Sequence, residues 1–426
     1  MSQFIVNGGN KLQGSIVPSG NKNEALPVLA AILLTEEPVT IHNIPNIGDI
    51  GSMKSILEEL GVTITFKGDN SYQFDSSNLI TSNPNKQLSE SIRGSFLLIS
   101  PLLHRFKNAK VYIPGGDSIG RRRLDTHIIA LEQLGAEISR EQGCFNVNAN
   151  SLKGADILLD EASVMATENI IMAAVLAEGV TTLYNAACEP HVQGLCNLLN
   201  AMGANIQGIG SNRLTIEGVD KLNGCEHTIK SDHTEVGSLI GLAAVTNSEL
   251  TIENAGVENL GLILHFFEKL GVKTEINGSS LLVPANQELV IQSDIDQSIP
   301  KIDDAPWPGF PADLTSIMTV VATQCNGTVL IFEKLFESRL FWIDGLLRMG
   351  AKIVLCDPHR AVVVGPARLT ATQLSSPDIR AGMALLIAAL CAEGTSEIQN
   401  IQQIDRGYAR IDERLNALGA DIQRVA

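Results

Sequence analysis

At 426 residues the chain exceeds one ordinary hydrophobic core, and two domains are expected from length alone. Hydrophobic residues at 44%, charged residues at 18% and aromatic residues at only 4% describe a globular protein with aliphatic cores. A formal charge of −16 weighs against nucleic acid as a partner and restricts any anion site to a local concentration of arginines. The opening MSQFIVNGGNKLQG has no basic stretch followed by an apolar run, and no apolar segment approaches the roughly 20 residues that cross a bilayer. A cytoplasmic protein without a membrane partner is therefore expected. Seven scattered cysteines without C-x-x-C spacing predict buried free thiols, neither a disulfide frame nor a metal site.

In chain order, the tripeptide [LM]-G-[AV] recurs with its glycine at 61, 135, 203, 271, 350 and 419, in steps of 74, 68, 68, 79 and 69 residues. Apolar residues at three-and-four spacing precede each glycine, as in Leu262, Leu264, Phe266, Phe267 and Leu270, and an alternating stretch such as Lys273–Ile276 follows. Helix, glycine stop and strand is the resulting pattern. Upstream, Ala173–Glu178 then Thr181–Tyr184, and Ala384–Glu393 then Ser396–Ile398, add a further helix and strand, so each unit reads as βαβαββ. The segment Lys11–Gly14 recurs as Lys221–Gly224, an offset of 210 that also separates Gly61 from Gly271. Two duplicated halves of three units each are expected, with helices packed inward, and the chain crossing between halves near Asn21-Lys22 and Ser231-Asp232. The domains would be 22–231, including a loop at 111–123, and 1–21 plus 232–426, with chemistry in a cleft between them.

The first chemical motif is Ser19–Pro27, a turn running into a helix where free backbone N–H groups and Lys22 favour an anion; a surface helix cap reads the same way. Next comes Pro114–Arg123, with three glycines, Asp117 and three consecutive arginines, suited to a mobile lid over an anionic substrate or to a solvated basic turn. The proline-rich Lys301–Asp313 stretch holds Asp313 at the start of a helix, where it would cap or catalyse. The triplets Glu337-Ser338-Arg339 and Asp378-Ile379-Arg380 read as extended, each acid orienting its arginine toward a carboxylate or phosphate, or as structural salt bridges. Arg406 follows a strand of the sixth unit much as Asp117 follows one of the second.

The segments SGNKNEALP, PGGDSIGRRRLDTH, FPAD, FESR, DIRAG and IDRGY, spread over residues 4–425, resemble the enolpyruvyl transferases, most closely the branch that makes peptidoglycan precursors. That resemblance implies an α/β fold of two inverted domains, each of three βαβαββ-like repeats. It implies transfer of the enolpyruvyl group of phosphoenolpyruvate to the 3′-hydroxyl of UDP-N-acetylglucosamine, with release of phosphate and with no cofactor or metal, by a monomer or weak homo-oligomer. Carried over by residue, Lys22, Arg122 and Arg406 would bind the phosphate and Arg339 and Arg380 the carboxylate, supported by Glu337 and Asp378. Asn23, Asp313 and Ile331 would address the acceptor, with Arg93, Arg122, Arg123, Leu124, Asp125 and Thr126 along its nucleotide and Ser163 and Val164 near its diphosphate. Asp117, Asp313, Lys22 and Arg406 would be catalytic. Asp117 stands where most members carry a reactive cysteine, which implies insensitivity to the epoxide fosfomycin. Gly48, Arg123, Glu161 and His233 also depart from the family pattern, all at positions near the acceptor. The remaining readings are an enolpyruvyl transferase for another nucleotide, for shikimate 3-phosphate, or a silent paralogue that binds without turnover.

Overall fold

The computed structural model describes residues 2–116 and 119–425. They form two compact units, one of residues 2–19, 119–121 and 231–425, the other of 20–116 and 122–230. Each contains three small sheets.

The six repeat glycines all lie at positive φ, between 82° and 105°, where a side chain would be strained. Each ends a helix and turns the chain into a strand, for example Gly48–Leu60 into Thr63–Gly68 and Ile411–Asn416 into Asp421–Val425. Five of these strands fold back as antiparallel hairpins on the strand that follows them. The sixth, Asp421–Val425, pairs instead with the amino-terminal strand Gln3–Asn7, which closes the first unit by joining the two ends of the chain. The segments at and just after the two K-L-x-G repeats add parallel edge strands: Gln13–Ile16 beside Glu249–Ile252, and Glu226–Thr228 beside Val39–His42.

In the first unit the helices His233–Val245, Thr315–Gln324 and Ile379–Cys391 pack on one another and are buried almost throughout. Apolar residues all round such a helix fit burial between sheets, as their sequences demand. Lys22–Ala31 and Val164–Ala174 are the corresponding buried helices of the second unit. The helix expected over 173–178 ends at Ala174, because Glu178 is engaged in bonds to the backbone of Leu152 and Gly154. All seven cysteines are free, but Cys356 is exposed and Cys225 and Cys391 are only half-buried, so the expected burial holds for the other four.

The crossing segments are braced in parallel ways. Asn21 and Asp232 cap their helices, and three residues later Glu24 and Glu235 are buried. Glu24 accepts from Lys230 N at 3.1 Å and contacts His227 at 2.8 Å; Glu235 accepts from Ser19 N at 3.3 Å and pairs with Arg414 at 2.5 Å.

The second unit also buries His127, whose Nδ1 receives a hydrogen bond from Asn169 Nδ2 at 2.9 Å while that amide also donates to Phe96 O at 3.1 Å. Burial, with some repulsion from Arg93, lowers the His127 pKa to about 3. A depressed folded value means stability that is full above the unfolded value near 6.5 and lost as pH falls toward 3. The wild type is expected to lose on the order of 4 kcal/mol through this group across that window. Urea titrations at several pH values should show a flatter acid limb in His127→Gln.

Candidate active site

In the first unit Asp313 lies in the 3₁₀ turn Ala312–Leu314, directly before the helix Thr315–Gln324. Its carboxylate caps no helix. Oδ1 accepts from Arg339 Nη2 at 2.8 Å and Oδ2 from Arg380 Nε at 2.9 Å. Both arginines are buried, at 6% and 4% exposure, so the Asp313 carboxylate, itself partly exposed, balances one of two desolvated guanidiniums. Burial works to raise the Asp313 pKa, but Arg380 and Arg339 outweigh it and hold the carboxyl far below the usual range. Arg339 Nε and Nη1 are buried without a hydrogen-bond partner among the described residues, donors of the kind a carboxylate or phosphate satisfies. A cavity of about 300 Å³ lies beside Arg339 and Asp378, with Ser338, Trp342, Arg348 and Ser375 among its walls.

The two acid–arginine triplets are not extended. Asp378 is the N-cap of Ile379–Cys391, its Oδ1 accepting from Arg380 N at 2.8 Å and Ala381 N at 2.9 Å, so it fixes the backbone of Arg380 and leaves the guanidinium to Asp313. Glu337 lies in a turn and accepts from Arg121 N at 2.9 Å. Gly120 has φ of 124°, and a Cβ there would come within 3.0 Å of Glu337 N and Oε2, so glycine is required at that contact. Asp117 lies outside the described residues. Ile331, expected along the acceptor, is fully buried in the strand Gly327–Phe332, and its side chain belongs to the core. Arg406 is half-buried and donates to Gln403 Oε1 at 2.9 Å.

Tyr408 carries no chemical motif of its own in the sequence. Its hydroxyl is fully buried, 3.2 Å from Arg380 Nη1 and 2.9 Å from Ser238 Oγ, and Arg380 also stands over its ring at 5.4 Å. Only its place in the quoted IDRGY segment hinted at this. Tyr408→Phe keeps the ring and removes one hydrogen bond to a charged group, worth roughly 1.5–3 kcal/mol. A rise of about tenfold or more in KM for the substrate anion is expected from that loss, measurable by steady-state kinetics.

In the second unit Lys22 opens the helix Lys22–Ala31, and its Nζ is 3.2 Å from Asp49 Oδ2. The N–H groups of Asn23 and Glu24, expected to be open to an anion, are taken by Asn21 Oδ1. Arg93 Nη2 donates to the carbonyls of Arg122 and Arg123 at 3.1 and 3.4 Å, bracing the turn that carries them. Burial, then Arg122, lowers the Arg93 pKa to about 10. Arg123 reaches Asp125 at 3.2 Å and Asp160 at 3.3 Å, and Thr126 Oγ1 donates to Asp160 at 2.7 Å. Leu124 is half-buried beside them, and Ser163 caps the helix that begins at Val164. The second unit thus gathers Arg93, Arg122, Arg123, Asp125 and Thr126, as the sequence grouped them. Asp49 and Asp160 were missed: the first reads as an ordinary first-turn acid, and the second has no local signal.

Residues 6–415 match the family model described as EPSP synthase (3-phosphoshikimate 1-carboxyvinyltransferase). The chain belongs to this enolpyruvyl transferase family. Within the family it is 53% identical to a UDP-N-acetylglucosamine 1-carboxyvinyltransferase of Bacteroides thetaiotaomicron, over all of both chains. It is 54% identical to the protein so named from Bradyrhizobium diazoefficiens, covering 99% of this chain and 98% of the relative, and 53% identical to that of Treponema pallidum, covering 99% of each. Among solved structures, an enolpyruvyl transferase from Streptomyces tendae superposes with a TM-score of 0.89 at 23% identity, covering 100% of this chain and 99% of the other. EPSP synthase from Acinetobacter baumannii gives 0.76 at 18% identity over the whole of both chains. These two establish the enolpyruvyl transferase fold. No helix among the described residues is long and apolar enough to cross a membrane.

Proposed function

We propose that this transferase moves the enolpyruvyl group of phosphoenolpyruvate to the 3′-hydroxyl of UDP-N-acetylglucosamine in the cytoplasm, as the first committed step of peptidoglycan precursor synthesis. The observation that carries the reading is Asp313 held between two buried guanidiniums, one of which keeps unpartnered donors. That arrangement suits a substrate carboxylate placed next to an acid-base group. Lys22, Arg122 and Arg406 would hold the phosphate, Arg339 and Arg380 the carboxylate, and Asn23 and Asp313 the acceptor sugar. Arg93, Arg123, Leu124, Asp125, Thr126, Ser163 and Val164 would follow the nucleotide. Residues 22–231 and the remainder would then serve as two domains acting on the same pair of substrates, with 111–123 as the lid.

The acceptor oxygen bonds to C2 of phosphoenolpyruvate while C3 gains a proton from Asp117, giving a tetrahedral ketal. Loss of a proton from C3 and cleavage of the C2–O bond to phosphate then regenerate the double bond. The depressed pKa makes Asp313 a poor base as long as both arginines grip it. A substrate carboxylate that draws the guanidiniums onto itself raises the basicity of Asp313 at the step where the hydroxyl must lose its proton. Arginines around the departing phosphate stabilise its charge.

A second reading, another nucleotide acceptor, is favoured by Arg123, which replaces the family's proline and is engaged with Asp125 and Asp160. Phosphate release from phosphoenolpyruvate with UDP-N-acetylglucosamine, a uridine monophosphate and shikimate 3-phosphate separates the readings. Release with the first alone is expected; release with the second alone would replace the proposal.

A further inference from the structure

Beneath the Asp313 turn, Asp304 and Glu333 emerge side by side from the parallel strands Lys301–Asp303 and Gly327–Phe332, whose last residues are in register. Both are fully buried. Asp304 is satisfied as a carboxylate, accepting from Lys334 N and from Leu335 N at 3.1 Å at the root of the loop that carries Arg339. Glu333 has a different environment: its Oε2 is hydrogen-bonded to Thr315 Oγ1, and its Oε1 receives no donor among the described residues; the group faces the Asp304 carboxylate, an interaction that itself favours a proton on the pair. Thr315 Oγ1 is also hydrogen-bonded to Ala312 O. A hydroxyl carries one hydrogen, and a carbonyl cannot donate. Thr315 therefore donates to Ala312 O, and the hydrogen in the other bond comes from Glu333.

We infer that Glu333 is a neutral carboxylic acid that donates through Thr315 to the Ala312 carbonyl, locking the turn that presents Asp313, and is a positioning residue for the transfer reaction. The functional half of this inference rests on the activity proposed above. Burial and the adjacent Asp304 carboxylate favour the proton on Glu333 and outweigh Arg339 and the Thr315 hydroxyl, which oppose it. The neutral state has a second consequence. An ionised Glu333 would balance the charge of Arg339 from below, and the neutral acid leaves that charge to Asp313 and to a substrate anion.

The proton is tested without turnover by infrared difference spectra of the wild type against Glu333→Gln. A carbonyl stretch of a neutral carboxylic acid is expected in the wild type and absent from the variant; identical spectra in that region would overturn the assignment. For positioning, Glu333→Gln retains a donor to Thr315 and is expected to keep kcat within about threefold, whereas Glu333→Leu and Thr315→Val, which break the relay, should each lose at least about tenfold. If Glu333→Leu fails to fold, Thr315→Val, nearly the same shape, carries the comparison. A Gln variant as slow as the Leu variant, or Thr315→Val at full rate, would refute the positioning role. A wild type that releases no phosphate with any acceptor but shows the carbonyl band would refute the activity and uphold the proton.

Discussion

Asp313→Asn is expected to lower kcat by about 10²–10⁴, the usual contribution of a positioned acid-base group, without weakening phosphoenolpyruvate binding. The amide fills the same space and can still accept from one guanidinium, but it has no charge with which to compete for Arg339 and Arg380. A substrate carboxylate then meets two arginines freed of their hydrogen-bonded internal rival, so calorimetric affinity for phosphoenolpyruvate should be equal to or tighter than in the wild type. Stability should move the other way. Removing one partner of a buried ion cluster costs roughly 3–5 kcal/mol, because the remaining charges stay buried. Low kcat, preserved affinity and a lower melting temperature together form the signature; a kcat within about threefold of wild type would remove Asp313 from the chemistry.

The second large effect concerns Asp117. The described residues on either side of it in sequence are constrained: a Cβ at Gly116 would lie 3.3 Å from Arg93 Cβ and 3.5 Å from Arg122 Nη1, and Gly120 abuts Glu337. An Asp that protonates C3 must hold its proton near neutrality, which requires shielding and a neighbouring negative charge, since a free Asp is ionised above about pH 4. Asp117→Asn is expected to cost about 10²–10⁴ in kcat while still binding phosphoenolpyruvate. Asp117→Cys should stay active and become covalently inactivated by fosfomycin, with the adduct visible in the intact mass, while the wild type is unaffected. A full-rate Asp117→Asn enzyme would sink the assignment.

The repeat architecture was legible because it is written in local terms. A glycine at a helix end readily takes positive φ, and six of them at near-equal spacing bring the helix before and the strand after each into view. The candidate residues could be listed from the sequence, but the bonds among them could not. Asp378-Ile379-Arg380 has the same spacing whether the backbone is extended or begins a helix, and here it begins one, which turns the acid to the backbone. The partner of Arg380 is Asp313, 67 residues away, and the partner of Glu337 is the backbone of Arg121, 216 residues away. No local pattern encodes such pairs. The side of the strand that Ile331 takes was hidden for a related reason: strand alternation sends one residue to the core and the next outward, and Ile331 falls on the core side. Glu333 drew no attention because a lone Glu at a strand end ordinarily faces water, and only its burial beside Asp304 gives it a role.

The most direct measurement is turnover in D₂O with phosphoenolpyruvate and UDP-N-acetylglucosamine, followed by mass and NMR analysis of the product. Protonation at C3 before loss of phosphate is expected to leave deuterium on the vinyl methylene of an enolpyruvyl-UDP-N-acetylglucosamine. Enolpyruvyl product formed without deuterium at that carbon, or phosphate released with no such product, would contradict addition followed by elimination at this site.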